Sequence, residues 1–393
     1  MVAREQMSAV THRAPVRSTF LGVQAVRGFA AMMVVIYHAS QMWSQHAGDG
    51  KTASGWGNGA AGVDLFFIVS GFVMAVSTIG REHKVHPARS FLERRLIRVV
   101  PLYWIMTLTV LLKQIVVIYH PAVQNSTLHP RLSAGYILSS LLFIPYRDSL
   151  GTTQPLLYVG WTLSFEMFFY LLFAVALALR IRVLRLLTPV MIALVILGKL
   201  VQFNWAPFAV ITSPMLLEFL AGVVLGIMVL KGVRVSSRIS LPLGLIAMGF
   251  LLFGRWSDIH DTEYLVWGFP ALLMVQAVVM SEERFGHLWP RWALAVGDAS
   301  YSLYLVHPLV NLFAYKLLIR IHVLSNGTVR IRDEFATVAV CLLLSISAAL
   351  LIYRLVERPL TERLRRGWLR EPKSAAQAVV LSGSDLQTSM QPE

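Results

Sequence analysis

LGVQAVRGFAAMMVVIYHAS, residues 21–40, is an apolar run with an arginine, Arg27, and a histidine, His38, inside it. At about 1.5 Å rise per residue such a run spans the roughly 30 Å hydrocarbon core of a bilayer as a helix. Eleven positions separate the two residues, almost three turns at about 100° each, so both side chains point the same way, roughly 16 Å apart. Ionisable groups inside a membrane span are costly and usually face a cavity or a partner, which marks them as functional candidates. Taken singly, Arg27 reads as a snorkelling anchor and His38 as an interfacial histidine. Their shared face favours the functional reading.

Outward from this segment the chain stays apolar. Of 393 residues, 56% are hydrophobic and 14% charged, with a mean hydropathy of +0.62. Soluble domains carry roughly 25% charge. The composition is that of a polytopic, all-α membrane bundle. A net charge of +14 does not call for nucleic acid, because Lys and Arg gather on the cytoplasmic side of membrane proteins. Cys341, the single cysteine, lies in an apolar run and reads as a buried, inert thiol. The first apolar run is too long for a cleavable signal peptide and carries ionisable groups. The chain divides into a cytoplasmic N-terminal segment (1–19), a transmembrane domain (20–360) and a cytoplasmic, partly disordered tail (361–393) with no appended soluble domain.

Apolar windows near 21–42, 61–79, 100–118, 157–179, 186–203, 208–230, 241–254, 263–280, 300–319 and 336–356 predict about ten spans. The stretch near 135–146 is too short to cross and reads as a re-entrant or interfacial piece. With the N-terminus in the cytoplasm, inner segments outnumber outer ones in Lys and Arg by about three to one, which the positive-inside rule favours. Both termini are then cytoplasmic, and the acidic stretch 257–263 is outside.

Several spans carry polar constellations. GVDLFFIVSGF (62–72) places Asp64 in the first turn of a helix, where the dipole favours a carboxylate, and Ser70 and Gly71 deeper, where they permit close packing. FLERRLIRVVPLYW (91–104) carries Arg94, Arg95 and Arg98. Three guanidinium groups at a membrane surface suit a phosphorylated ligand, bound bidentately; positive-inside anchoring is the plainer alternative. VGWTLSFEMFFY (159–170) sets Glu166 mid-helix among aromatics, one turn from Tyr170, and Arg27 or His38 is its expected partner. Glu218 is similar but nearer the outside. In GDASYSLYLVHPL (297–309), Ser300, Tyr304 and His307 line one face. VERPL (356–360) brings Glu357 and Arg358 to the cytoplasmic surface. No metal-binding, P-loop or serine-hydrolase motif is present, so no metal and no tightly bound cofactor are expected.

Taken together and in order, these segments resemble the acyltransferase-3 family of bacterial membrane proteins, in particular its exopolysaccharide-acetylating branch. The resemblance covers about residues 20–360 and includes the arginine, ten residues, then histidine of the first span. It implies about ten spans in the bacterial inner membrane and transfer of acyl groups, often acetyl from acetyl-CoA, to hydroxyls of extracellular or envelope carbohydrates. By position it marks Arg27 and His38 as a functionally important pair and Arg94/Arg95/Arg98 as a further characteristic segment.

The expected function is therefore O-acetyl transfer to a surface polysaccharide or its lipid-linked precursor. His38 would act as general base, or as a covalent acyl carrier. Glu166 would orient it, and the arginines would hold the donor phosphates. Expected partners are a saccharide acceptor, membrane lipid and polysaccharide assembly proteins. Asp64, Ser70, Tyr304 and His307 are further site candidates. The alternative is a transporter or flippase for a lipid-linked saccharide, since the buried His, Asp and Glu also suit a proton relay.

Overall fold

A computed structural model describes residues 20–47, 56–79, 87–118, 132–147, 151, 153–201, 203–254, 266–321 and 331–368. The segment 1–19, the tail from 369 and the acidic stretch 257–263 lie outside the described residues. Among those described there is no strand. The helices are α1 (Leu21–Ala47), α2 (Gly62–Thr78), α3 (Pro87–Ile118), α4 (Ala134–Leu141), α5 (Trp161–Ala178), α6 (Val183–Leu200) and α7 (Ala206–Ile211). Then follow α8 (Leu216–Leu230), α9 (Ser237–Phe253), α10 (Gly268–Phe285), α11 (Arg291–Asp298), α12 (Ser300–Arg320), α13 (Ile331–Ile352) and α14 (Arg358–Trp368).

Eight helical stretches among the described residues are long and apolar enough to cross a membrane, and the molecule is a polytopic helical membrane protein. The windows at 241–254 and 263–280 form α9 and α10, packed side by side. α9 has only 17 residues, and α10 ends in Glu282, Glu283 and Arg284. The window at 208–230 is broken into α7 and α8 around Pro214, which offers no backbone N–H to continue a helix. α4, only eight residues long, is the non-crossing piece. Tyr103 Oη and Trp104 Nε1 donate to its Ser140 and Leu141 carbonyls at 2.8 Å each.

α1 is central, touching α2, α10, α11, α12 and α13. Its start is held from the side. The backbone N–H groups of Leu21 and Gly22 donate to Oε1 and Oε2 of Glu282, at 2.7 and 2.9 Å. These are donors that a helix N-terminus leaves unpaired, at its positive dipole end. Beside Arg27, a Cβ on Gly28 would come within 2.9 Å of the Gly297 backbone nitrogen, so α1 and α11 meet almost backbone to backbone. α2 and α8 are closer still: a Cβ on Gly222 would fall on the Ile68 carbonyl, and one on Gly71 on that of Phe219. Small residues permit such approach.

α13 runs into a π-helical turn, Tyr353–Glu357, before α14. The turn rotates Glu357 inward, where it is buried and accepts a hydrogen bond from Ser302 Oγ at the start of α12. Sequence reading puts Glu357 at the cytoplasmic surface. The extra residue of the π turn, a common feature near functional sites, accounts for the difference. The starts of α1 and α12 and the end of α13 therefore lie at one end of the bundle.

Candidate active site

At that end a cavity of about 780 Å³, counted out to its open mouth, lies between α1, α2, α3, α5 and α12. The polar part of its wall carries Arg27, Ser70, Arg95, Arg98, Glu166 and Tyr170, and its apolar part Val63, Phe66, Phe67 and Leu163. Helical spacing builds this wall: Val63, Phe66, Phe67 and Ser70 form one face of α2, and Thr162, Glu166 and Tyr170 one face of α5.

Glu166 Oε1 accepts hydrogen bonds from Ser70 Oγ at 3.0 Å and Tyr170 Oη at 2.5 Å. Arg95 donates to Ser77 Oγ at 3.0 Å, and its guanidinium sits 5.8 Å from the ring centres of both Phe91 and Tyr170. Arg27 and Arg98 differ. Neither has a hydrogen-bond or ion-pair partner among the described residues, although both line the cavity. Three cations thus face the space against one carboxylate, Glu166, with Glu357 exerting a further attraction on Arg27 and Arg98 from behind. Ten unpaired N–H donors on two fixed guanidinium groups form a receptor for an oxyanion.

At its other end the cavity stops at Thr162 and Tyr304. The Tyr304 hydroxyl hydrogen-bonds Thr162 Oγ1 and donates to the Val159 carbonyl, both at 2.9 Å. Phe66 packs edge-on against the Tyr304 ring, 5.7 Å between centres. Tyr304 is the partition between the cavity and a second polar group. Behind it, His307 Nε2 lies 3.0 Å from His38 Nδ1, with the two rings stacked 5.0 Å apart. Tyr158 packs edge-on against His38 at 5.1 Å. His307 is fully buried, whereas His38 keeps some exposure.

Three expectations need correction. Glu166 does not orient His38: it belongs to the arginine cavity, and the partner of His38 is His307. Arg94 does not line the cavity. It lies about 100° round α3 from Arg95, off the lining face. Asp64 is not in the site either. It is buried in the first turn of α2, facing Glu218 of α8, which is buried too. Ser300, grouped with Tyr304 and His307 by spacing, is buried outside the cavity wall. Conversely, Thr162, Tyr170, Tyr301 and Glu357 belong to the site or its support. The four-residue spacing of 162, 166 and 170 marks the first two, whereas the burial of Glu357 depends on a π turn with no sequence signature. Cys341 is fully buried, as expected, and no group of ligands able to hold a metal occurs among the described residues.

An all-helical membrane bundle with a guanidinium-lined cavity leading toward a histidine pair defines a membrane-embedded group-transfer protein, and comparison gives its family. The chain belongs to the acyltransferase-3 family, whose acyltransferase domain matches residues 20–355. It is 35% identical over 333 residues to the exopolysaccharide production protein ExoZ of Rhizobium meliloti (strain 1021), covering 83% of this chain and 95% of that protein. It is 23% identical over 389 residues to the O-acetyltransferase OatA of Staphylococcus aureus (strain MRSA252), covering 91% of this chain and 59% of that one. Identity to the peptidoglycan O-acetyltransferase OatA of Listeria monocytogenes (serovar 1/2a, strain EGD-e) is 26% over 156 residues, 38% of this chain and 23% of that protein. The chain thus spans little more than half of the staphylococcal relative. No solved structure matches.

Proposed function

We propose that this protein is an O-acetyltransferase of the bacterial inner membrane. It transfers acetyl from acetyl-CoA to a hydroxyl of a surface polysaccharide or its lipid-linked precursor. The observation that carries this reading is the pair of partnerless guanidinium groups, Arg27 and Arg98, in one cavity. Such an oxyanion receptor suits the phosphates of a coenzyme A thioester, and the O-acetyltransferase relatives favour that donor over the phosphates of a transported lipid-linked saccharide. The bias of Lys and Arg favours cytoplasmic termini, an orientation in which the cavity opens to the donor pool.

The donor phosphates lie on Arg27, Arg95 and Arg98. The pantetheine arm runs along Val63, Phe66, Phe67 and Leu163, which brings the thioester to Tyr304. A swing of that side chain then admits the acyl group to His38. With His38 as base, the acceptor O–H bond breaks and its proton passes to the imidazole. The oxygen forms the ester C–O bond as the C–S bond breaks, and the imidazolium returns its proton to the departing thiolate. Polysaccharide assembly proteins and lipid are the natural neighbours of such an enzyme.

The test uses purified protein in nanodiscs with acetyl-CoA labelled in the acetyl group and an oligosaccharide acceptor. Label should appear in saccharide, and His38→Ala should lower the rate by about 10²–10⁴-fold, the usual range for a general base, at unchanged protein level. Saccharide crossing liposome membranes without a new ester would establish the transporter instead.

A further inference from the structure

We infer that His307 is a positioning residue that holds His38 in the tautomer protonated on Nδ1, leaving Nε2 as the bare nitrogen that takes the proton. The inference rests on the reading of His38 as the base. Its ground is a chain of donors and acceptors that admits one assignment.

The chain starts at Pro308. Proline has no N–H, so the carbonyl one turn back, on Tyr304, loses its helical donor. The ring of His307 turns onto this turn of its own helix. Its Nδ1 is 3.2 Å from the Leu303 carbonyl. Carbonyl oxygens only accept, so His307 Nδ1 carries a hydrogen. His307 is fully buried and no carboxylate pairs with it among the described residues, so it is the neutral imidazole. A neutral imidazole has a single N–H, which makes His307 Nε2 an acceptor. Its neighbour at 3.0 Å, His38 Nδ1, is then the donor.

His38 Nε2 is left with its lone pair. A second-shell hydrogen bond on one ring nitrogen commonly decides the state of the other. Here that bond comes from a helix 269 positions away in sequence. His307 gains and loses no proton in the cycle, whereas His38 takes the acceptor proton and returns it to the thiolate.

The test has two arms. In wild-type protein reconstituted in liposomes, nitrogen NMR of ring-labelled histidine, with His38 assigned by the signal lost in His38→Gln, should find Nδ1 protonated and Nε2 bare. In the transfer assay, His307→Gln offers a carbonyl oxygen near the position of Nε2 and should keep kcat within about tenfold. His307→Phe offers no acceptor and should lose about 100-fold or more in kcat, with the KM for acetyl-CoA unchanged because His307 does not line the donor cavity. His38 protonated on Nε2, a His307→Phe variant at the wild-type rate, or His307→Gln as inactive as His307→Phe would each overturn the inference. A variant that fails to fold leaves the wild-type spectrum to decide. A wild-type protein that transfers nothing defeats the acetyltransferase reading, while the spectrum still tests His307.

Discussion

At the scale of residues, the arginine-lined cavity turns on the difference between a paired and an unpaired guanidinium. Arg95 is tied to Ser77 and stacked between aromatic rings, while Arg27 and Arg98 are unspent. A hydrogen bond to a charged group contributes about 1.5–3 kcal/mol. Arg98→Ala should therefore weaken acetyl-CoA binding by roughly 10–100-fold, measured by calorimetry in detergent. Arg98→Lys should fall between, since an ammonium cannot reproduce the bidentate fork. Equal loss for Lys and Ala would mean that geometry, not charge, is read. Arg94→Ala should leave binding nearly unchanged. Much of this was legible in the sequence: Arg27, Ser70, Arg95, Arg98, Glu166 and Tyr304 all line the cavity. What spacing along one helix cannot reveal is pairing between helices. His38 has two plausible partners by type, and only the packing of α1 against α12 selects His307 over Glu166.

At the scale of elements, the position of Arg27 depends on how α1 is clamped. Glu282 caps its start from α10, and Gly28 seats it against α11. Loss of an N-terminal cap costs about 0.5–2 kcal/mol. Glu282→Ala should therefore lower thermal stability by a few degrees and also weaken donor binding, because Arg27 lies under two turns from the cap. Unchanged binding at reduced stability would separate the clamp from the site. Between α2 and α8 there is no such latitude: Gly222→Leu puts a side chain on the Ile68 carbonyl and should abolish folded protein in the membrane fraction. The helices themselves could be read from apolar run length. The break at Pro214 and the π turn at 353–357 could not, since a window average smooths over one proline, and a π turn inserts one residue without altering composition.

At the scale of the whole molecule, orientation follows from charge and can be checked directly. In a Cys341→Ser background, a cysteine at Arg147 should react with a membrane-impermeant maleimide in intact spheroplasts, and one at Arg182 should not; the reverse pattern would invert the topology. The partition at Tyr304 has a consequence at this scale. An energised membrane stores a proton gradient and a voltage, and any continuous watery thread through a protein short-circuits both. Here a cationic cleft on one side and a mostly buried imidazole on the other are separated by one phenol ring and its hydrogen bonds to Thr162 and Val159. Truncating that ring, as in Tyr304→Gly, should make liposomes containing the protein discharge an imposed potential faster than wild type, as read by a voltage-sensitive dye. On this view the tyrosine serves the cell's energy supply as much as the chemistry beside it.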